Sequence, residues 1–156
     1  GYWREAEARK IVELVSEIGT AHPDRPLAIV GDFNSVPTDK VLAIYKAAGL
    51  IDTQEPRPAA AARGTPASIE AAQYLTHASA RTIDFVLVNK ALASRIVQGS
   101  PFVLGTPILP EGVDYRSVAP PPGYASDHFP VVVDLSVHGQ DNAGSGKDGA
   151  KVTVTE

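Results

Sequence analysis

Apolar residues at Ile11, Leu14, Val15 and Ile18 recur at the i, i+3, i+4, i+7 spacing of one helix face. They predict a helix over residues 3–18, stopped at Gly19, with a turn opening at His22-Pro23. Leu27 to Val30 is a short unbroken apolar run, the pattern of a strand buried on both faces, and it ends in Gly31-Asp32-Phe33-Asn34. Thr38 then reads as the N-cap of a second helix over 39–48, with Val41, Leu42 and Tyr45 inward and Gly49 as its stop. Residues 53–81 form a long connection with at most a short helix near 67–73.

A second buried strand is predicted over 83–88, followed by a helical turn at 90–95 and a strand over 96–104. Residues 105–126 are a loop stiffened by five prolines, three of them consecutive at 120–122. Val131 to Val137 reads as the last strand of the globular part, which ends near residue 138. Residues 139–150 have the Gly/Ser-rich composition of a linker, and 151–156 alternate like the first strand of a following β unit. Helices interspersed with apolar strands indicate an α/β layered domain.

Composition narrows the function classes. The 156 residues suffice for one domain, and 44% apolar with 21% charged residues is ordinary for a soluble chain. No apolar run approaches the length of a transmembrane helix. A net charge of −4 argues against a broad basic face for duplex nucleic acid. The absence of cysteine removes disulfides, thiolate metal sites and a cysteine nucleophile. The chain also lacks methionine, so Gly1 reads as a cut or processed start.

Polar clusters interrupt the apolar pattern at three strand edges: Asp32 with Asn34, Asp84, and Asp127 with His128. Each has a plain reading. Gly-Asp-Phe-Asn has turn chemistry, Asp84 could pair with Arg81, and Ser126-Asp127-His128 could be a capped turn. Asp84 resists dismissal, because a carboxylate inside the run Ile83 to Val88 is costly without a partner. Together the groups supply what metal-assisted phosphodiester hydrolysis requires. A histidine can deprotonate water near neutral pH, and a carboxylate on its other nitrogen fixes its tautomer. A hard divalent cation takes carboxylate oxygens, and donors stabilise the charge that grows on phosphorus-bound oxygen.

Gly31-Asp32-Phe33-Asn34-Ser35, Arg81 to Leu87 (RTIDFVL) and Ser126 to Val131 (SDHFPV) resemble, in order and approximate spacing, the last three signature motifs of the endonuclease/exonuclease/phosphatase superfamily. The resemblance covers residues 2 to about 137, with Arg4, Ala8 and Ile11 matching the helix that precedes the first motif. It implies a DNase I-like, four-layered α/β sandwich of which this chain is the C-terminal half. It implies His128 as general base on water, Asp84 as its orienting carboxylate, Asp32 as positioner of water or proton donor to the leaving oxygen, and Asn34 as donor to the scissile phosphate. Asp127 is implied at the metal site, the metal being Mg2+ or Mn2+. The family's metal-binding Glu and its first-strand Asn have no equivalents here, so the missing N-terminal half is an implied partner and the chain alone is expected to be inactive.

The substrate class is a phosphodiester, with nucleic acid the first choice and a lipid headgroup or inositol phosphate the alternative. Arg116 and Tyr124 are candidate substrate contacts, beside Arg57, Arg63 and Tyr115. His22, His77 and His138 carry no motif and receive no role. A rival reading is a non-catalytic binding module of a multidomain surface protein. Against it, folding alone does not require all five polar side chains. The Gly/Ala/Pro-rich composition points to an extracellular or cell-surface location, with the cytoplasm left open.

Overall fold

A computed structural model describes residues 1–56, 73–105, 114–117, 119 and 126–137. Helix α1 spans Tyr2–Ala21, three residues past the predicted end, because Gly19 does not break it. Its inward stripe is the buried Ala8 with the partly buried Ile11, Val12 and Val15, the same i, i+3, i+4, i+7 spacing begun one turn earlier. Leu14 and Ile18, counted inward from the sequence, are 46% and 39% exposed. Helix α2 spans Lys40–Ala47 and is preceded by Asp39 rather than Thr38 at its N-cap. The Asp39 carboxylate accepts from the Val36 backbone N–H at 3.0 Å, so it closes the incoming turn instead of capping the helix. Gly49, at φ +83°, then turns the chain into β2.

Strands β1 (Ala28–Asp32), β2 (Ile51–Asp52) and β3 (Asp84–Val88) form one antiparallel sheet in the order β1-β3-β2. Residues opposite one another share a face, so Ile29, Gly31, Phe85 and Leu87 look one way. Val30, Asp32, Asp84 and Val86 look the other way. The first face is covered by both helices. Phe85 and Leu87 pack with Ala8, Val41, Leu42, Tyr45 and Leu50, and Val41, Leu42 and Tyr45 point inward as predicted. Burial raises the pKa of the Tyr45 phenol. Phe33 joins this core with edge-on contacts to Tyr45 (5.3 Å) and Phe85 (5.4 Å). The second face explains why β1 is not buried on both sides: Val30 is 66% exposed there. Phe85→Ala removes the ring at the centre of this cluster and should destabilise the fold by about 3–5 kcal/mol, measured by urea unfolding.

Asn89 ties the sheet's far end together. Its side-chain oxygen accepts from Leu92 N–H, capping the short helix α3 (Lys90–Ala93), and also from Leu27 N–H just before β1. The predicted strands over 96–104 and 131–137 are much shorter. Only β4 (Phe102–Val103) and β5 (Val131–Val132) pair, with a single further bridge between Ile96 and Leu135. A turn closed by Ser100 N–H on the Val97 carbonyl, with Gly99 at φ +76°, breaks the first of them. In the proline-containing loop, Tyr115–Ser117 form one 3-10 turn. The expected helix over 67–73 falls almost wholly outside the described residues, as do the linker and the residues beyond it.

Candidate active site

Antiparallel pairing sets Asp32, the last residue of β1, directly opposite Asp84, the first of β3. Both carboxylates therefore stand on the sheet face that the helices leave open. Two like charges across a ladder repel unless each has its own partner. Here each has one.

Asp32 and Asn34 lock together. One Asp32 oxygen accepts from the Asn34 backbone N–H at 2.7 Å, and the other accepts from the Asn34 side-chain amide at 2.8 Å. Asn34 adopts φ +48°, a left-handed conformation that asparagine tolerates better than most residues. Gly31, at φ +144°, occupies backbone space that other residues enter with strain. The tetrapeptide is thus a turn, as its plain reading holds. It is also a turn that presents a carboxylate and an amide as one exposed unit.

Asp84 pairs with His128, not with Arg81. His128 Nδ1 lies 3.0 and 3.1 Å from the two Asp84 oxygens. The Asp84 side chain is 17% exposed and that of His128 is 34% exposed. An ionised carboxylate only accepts, so in the neutral ring Nδ1 carries the proton and Nε2 keeps its lone pair. Thr76 holds the base of β3: its hydroxyl oxygen accepts from the backbone N–H groups of Ile83 and Asp84. The Thr76 carbonyl accepts from Phe129 N–H at 2.7 Å, and the Asp127 carbonyl accepts from Ala78 N–H at 2.8 Å. Residues 76–78 therefore stitch the Asp127-His128 segment to the start of β3.

That stitching brings in His77, a residue with no motif in the sequence. It is 5% exposed, and its ring meets His128 edge-on at 4.6 Å. His77 Nε2 lies 3.2 Å from Oδ2 of the half-exposed Asp127. Burial is the largest influence on its pKa and, with His128 and Arg81 adding to it, holds the ring below the usual histidine value despite the raising effect of Asp127. The only available signal was local: His77 sits four residues before Arg81, which begins the second motif, and the two form a bridge.

A shallow cleft of about 280 Å³ borders the pair, lined by Val30, Gly31, Asp84, Val86, His128 and Pro130. Of the other sequence candidates, Arg116 stands exposed in the 3-10 turn with its backbone N–H on Asp114. Tyr124, Arg57 and Arg63 lie outside the described residues. No helix among the described residues is long and apolar enough to cross a membrane.

The model of the Endonuclease/Exonuclease/phosphatase family matches residues 1–128. The chain belongs to this family. No curated protein and no solved structure gives a significant match. Family membership makes hydrolysis of phosphate esters the general activity, with a divalent metal the usual cofactor. The match spans all three polar clusters, and the fold brings Asp32 opposite Asp84 and Asp84 onto His128.

The donor chemistry separates two kinds of metal site. His77, Asp127 and His128 each bring one ligand atom within 4.8 Å of the others. Two imidazoles and one carboxylate suit a zinc-like ion, whereas magnesium takes oxygen. The half-exposed Asp127 carboxylate is the oxygen donor in that group.

Proposed function

We propose that this domain hydrolyses phosphodiesters with a divalent cation, using His128 as the general base. The observation that carries this reading is His128 Nδ1 held on both oxygens of Asp84. That hold leaves Nε2 as the proton acceptor, and Asp84 itself stands directly opposite Asp32 across the ladder. A water on Nε2 gives up its proton as its oxygen attacks phosphorus, and the resulting imidazolium is stabilised by Asp84. The Asn34 amide, kept in place by Asp32, donates to a phosphoryl oxygen with the N–H that Asp32 does not take. Asp32 positions the water or returns a proton to the leaving oxygen. Asp127 would help hold Mg2+ or Mn2+, whose positive charge would offset the negative charge building on the phosphate.

The fold we infer is the C-terminal half of a DNase I-like four-layered α/β sandwich. The sheet face that carries Asp32 and Asp84 supports this: Val30 and Ile51 on it are 66% and 43% exposed. An apolar face of this kind invites a second layer. In this reading an N-terminal half packs there and brings the metal-binding glutamate. A nuclease or general phosphodiesterase is the preferred activity, residues 139–150 are a linker, and the protein works outside the cell or on its surface.

The deciding experiment supplies DNA, RNA, an inositol phosphate and sphingomyelin to the full-length protein. With Mg2+ or Mn2+, at least one phosphodiester should be cleaved. Excess EDTA should abolish turnover and added Mg2+ should restore it. Residues 1–156 alone should be at least ~100-fold slower, the scale of losing a metal's charge stabilisation. Turnover that survives EDTA, or no turnover of any substrate, would overturn the reading.

A further inference from the structure

His77 could serve the site in two incompatible ways. Its Nε2 could ligate a metal together with Asp127 and His128, or it could carry a proton and donate it toward Asp127. The atoms around its other nitrogen decide between them. His77 Nδ1 accepts from the backbone N–H of Ser79 at 3.0 Å. It also lies 2.7 Å from the Ser79 hydroxyl oxygen. That hydroxyl oxygen accepts from Arg81 Nε–H, likewise at 2.7 Å.

The donors run in one direction only. Arg81 never accepts, so the Ser79 oxygen is the acceptor there. The hydroxyl proton is then free to point to His77 Nδ1. A backbone N–H pointing at Nδ1 is incompatible with a proton on that nitrogen. The neutral ring must therefore carry its proton on Nε2, which lies 3.2 Å from Asp127 Oδ2. To ligate a metal through Nε2, the ring would have to move that proton to Nδ1, against the Ser79 N–H.

We propose that His77 is a positioning residue. The Arg81–Ser79 relay fixes it in the Nε2–H tautomer, and from there it aims the Asp127 carboxylate. The tight turn over 77–81 builds this relay: Ala80 N–H bonds the His77 carbonyl, His77 N–H bonds the Arg81 carbonyl, and Ala80 sits at φ +56°. The edge-on contact with His128 places the same ring against the proposed base, so one buried imidazole references both Asp127 and His128 of the third motif. That Asp127's orientation matters for cation binding rests on the proposed function. The tautomer does not.

Two measurements on the full-length protein test this. In long-range 1H–15N spectra at neutral pH, His77 Nδ1 should resonate as an unprotonated nitrogen and Nε2 as a protonated one. One equivalent of Zn2+ should leave that pair unchanged. A protonated Nδ1, or loss of the Nε2 proton on adding Zn2+, would make His77 a metal ligand and overturn the proposal. Mn2+ binding, followed by the EPR signal of the free ion, should weaken ~10-fold or more in His77→Phe, yet stay within ~3-fold of wild type in His77→Gln, whose amide still donates at that reach. Equal weakening in both variants would reduce His77 to a packing residue. Failure of the wild-type protein to bind Mn2+ would count against the metal role of Asp127, leaving the nitrogen signals to decide the tautomer.

Discussion

Replacing His128 with alanine should lower kcat of the full-length protein at least ~100-fold, the range for loss of a general base. The expectation comes from the division of labour on the ring. Nδ1 is committed to Asp84 at 3.0 and 3.1 Å, so Nε2 is the one nitrogen left to take a proton from water. Alanine removes the base and also strips a mostly buried carboxylate of its partner, since the Asp84 side chain is 17% exposed. A loss of activity could then reflect loss of structure. His128→Asn separates the two effects. Its amide can donate to Asp84 in place of Nδ1–H but offers no imidazole lone pair. It should be as slow as the alanine variant while keeping wild-type thermal stability. Near-wild-type kcat in either variant would remove His128 from the role of base.

The parts of this site that could be read from the sequence are those with a local signature. Asp32 and Asn34 declare themselves because a turn after an apolar run needs residues of that kind. Asp84 stands out because a carboxylate breaks a run of buried apolar residues. Its partner follows from the family resemblance, which pairs it with His128, and not from local spacing: Arg81, three residues away, is the near candidate, but residues 76–78 pair with 127–129 and deliver His128 from 44 residues away. His77 was invisible for the same reason. Its place depends on bridges to Arg81 and His128, and no periodicity announces an isolated bridge.

The fold shows a similar division. The helices and the two five-residue strands were legible from apolar spacing. The orientation of β1 was not, because a continuous apolar run reads as buried on both faces and the run itself cannot report an open face. Val30, at 66% exposure, is the residue that exposes the difference. The short strands β4 and β5 failed as long ones because Ser100 turns its side chain to the Asp134 backbone. It accepts the Asp134 N–H at 3.0 Å, a bond that competes with regular pairing.

Asp84→Asn should cost kcat a factor of about 100 or more while leaving the fold intact. The substitution keeps the size of the side chain and the backbone bond from Asp84 N–H to Thr76, so β3 should still form. What changes is the instruction given to His128. A carboxylate can only accept, which forces the proton onto Nδ1 and leaves Nε2 ready. An amide can accept or donate. When its NH2 faces the ring, it donates to Nδ1 and drives the proton to Nε2, where the water needs a lone pair. Even in the productive orientation, a neutral amide gives the imidazolium no opposing charge. The variant should therefore fail in kcat with little change in KM, and the His128 nitrogen signals should show protonated Nε2. Turnover within ~3-fold of wild type would mean that something other than Asp84 sets the tautomer of His128, since a tautomer change is worth far more than that. The Asp84–His128 pair would then be a structural contact, and the base would have to be sought elsewhere on the open face.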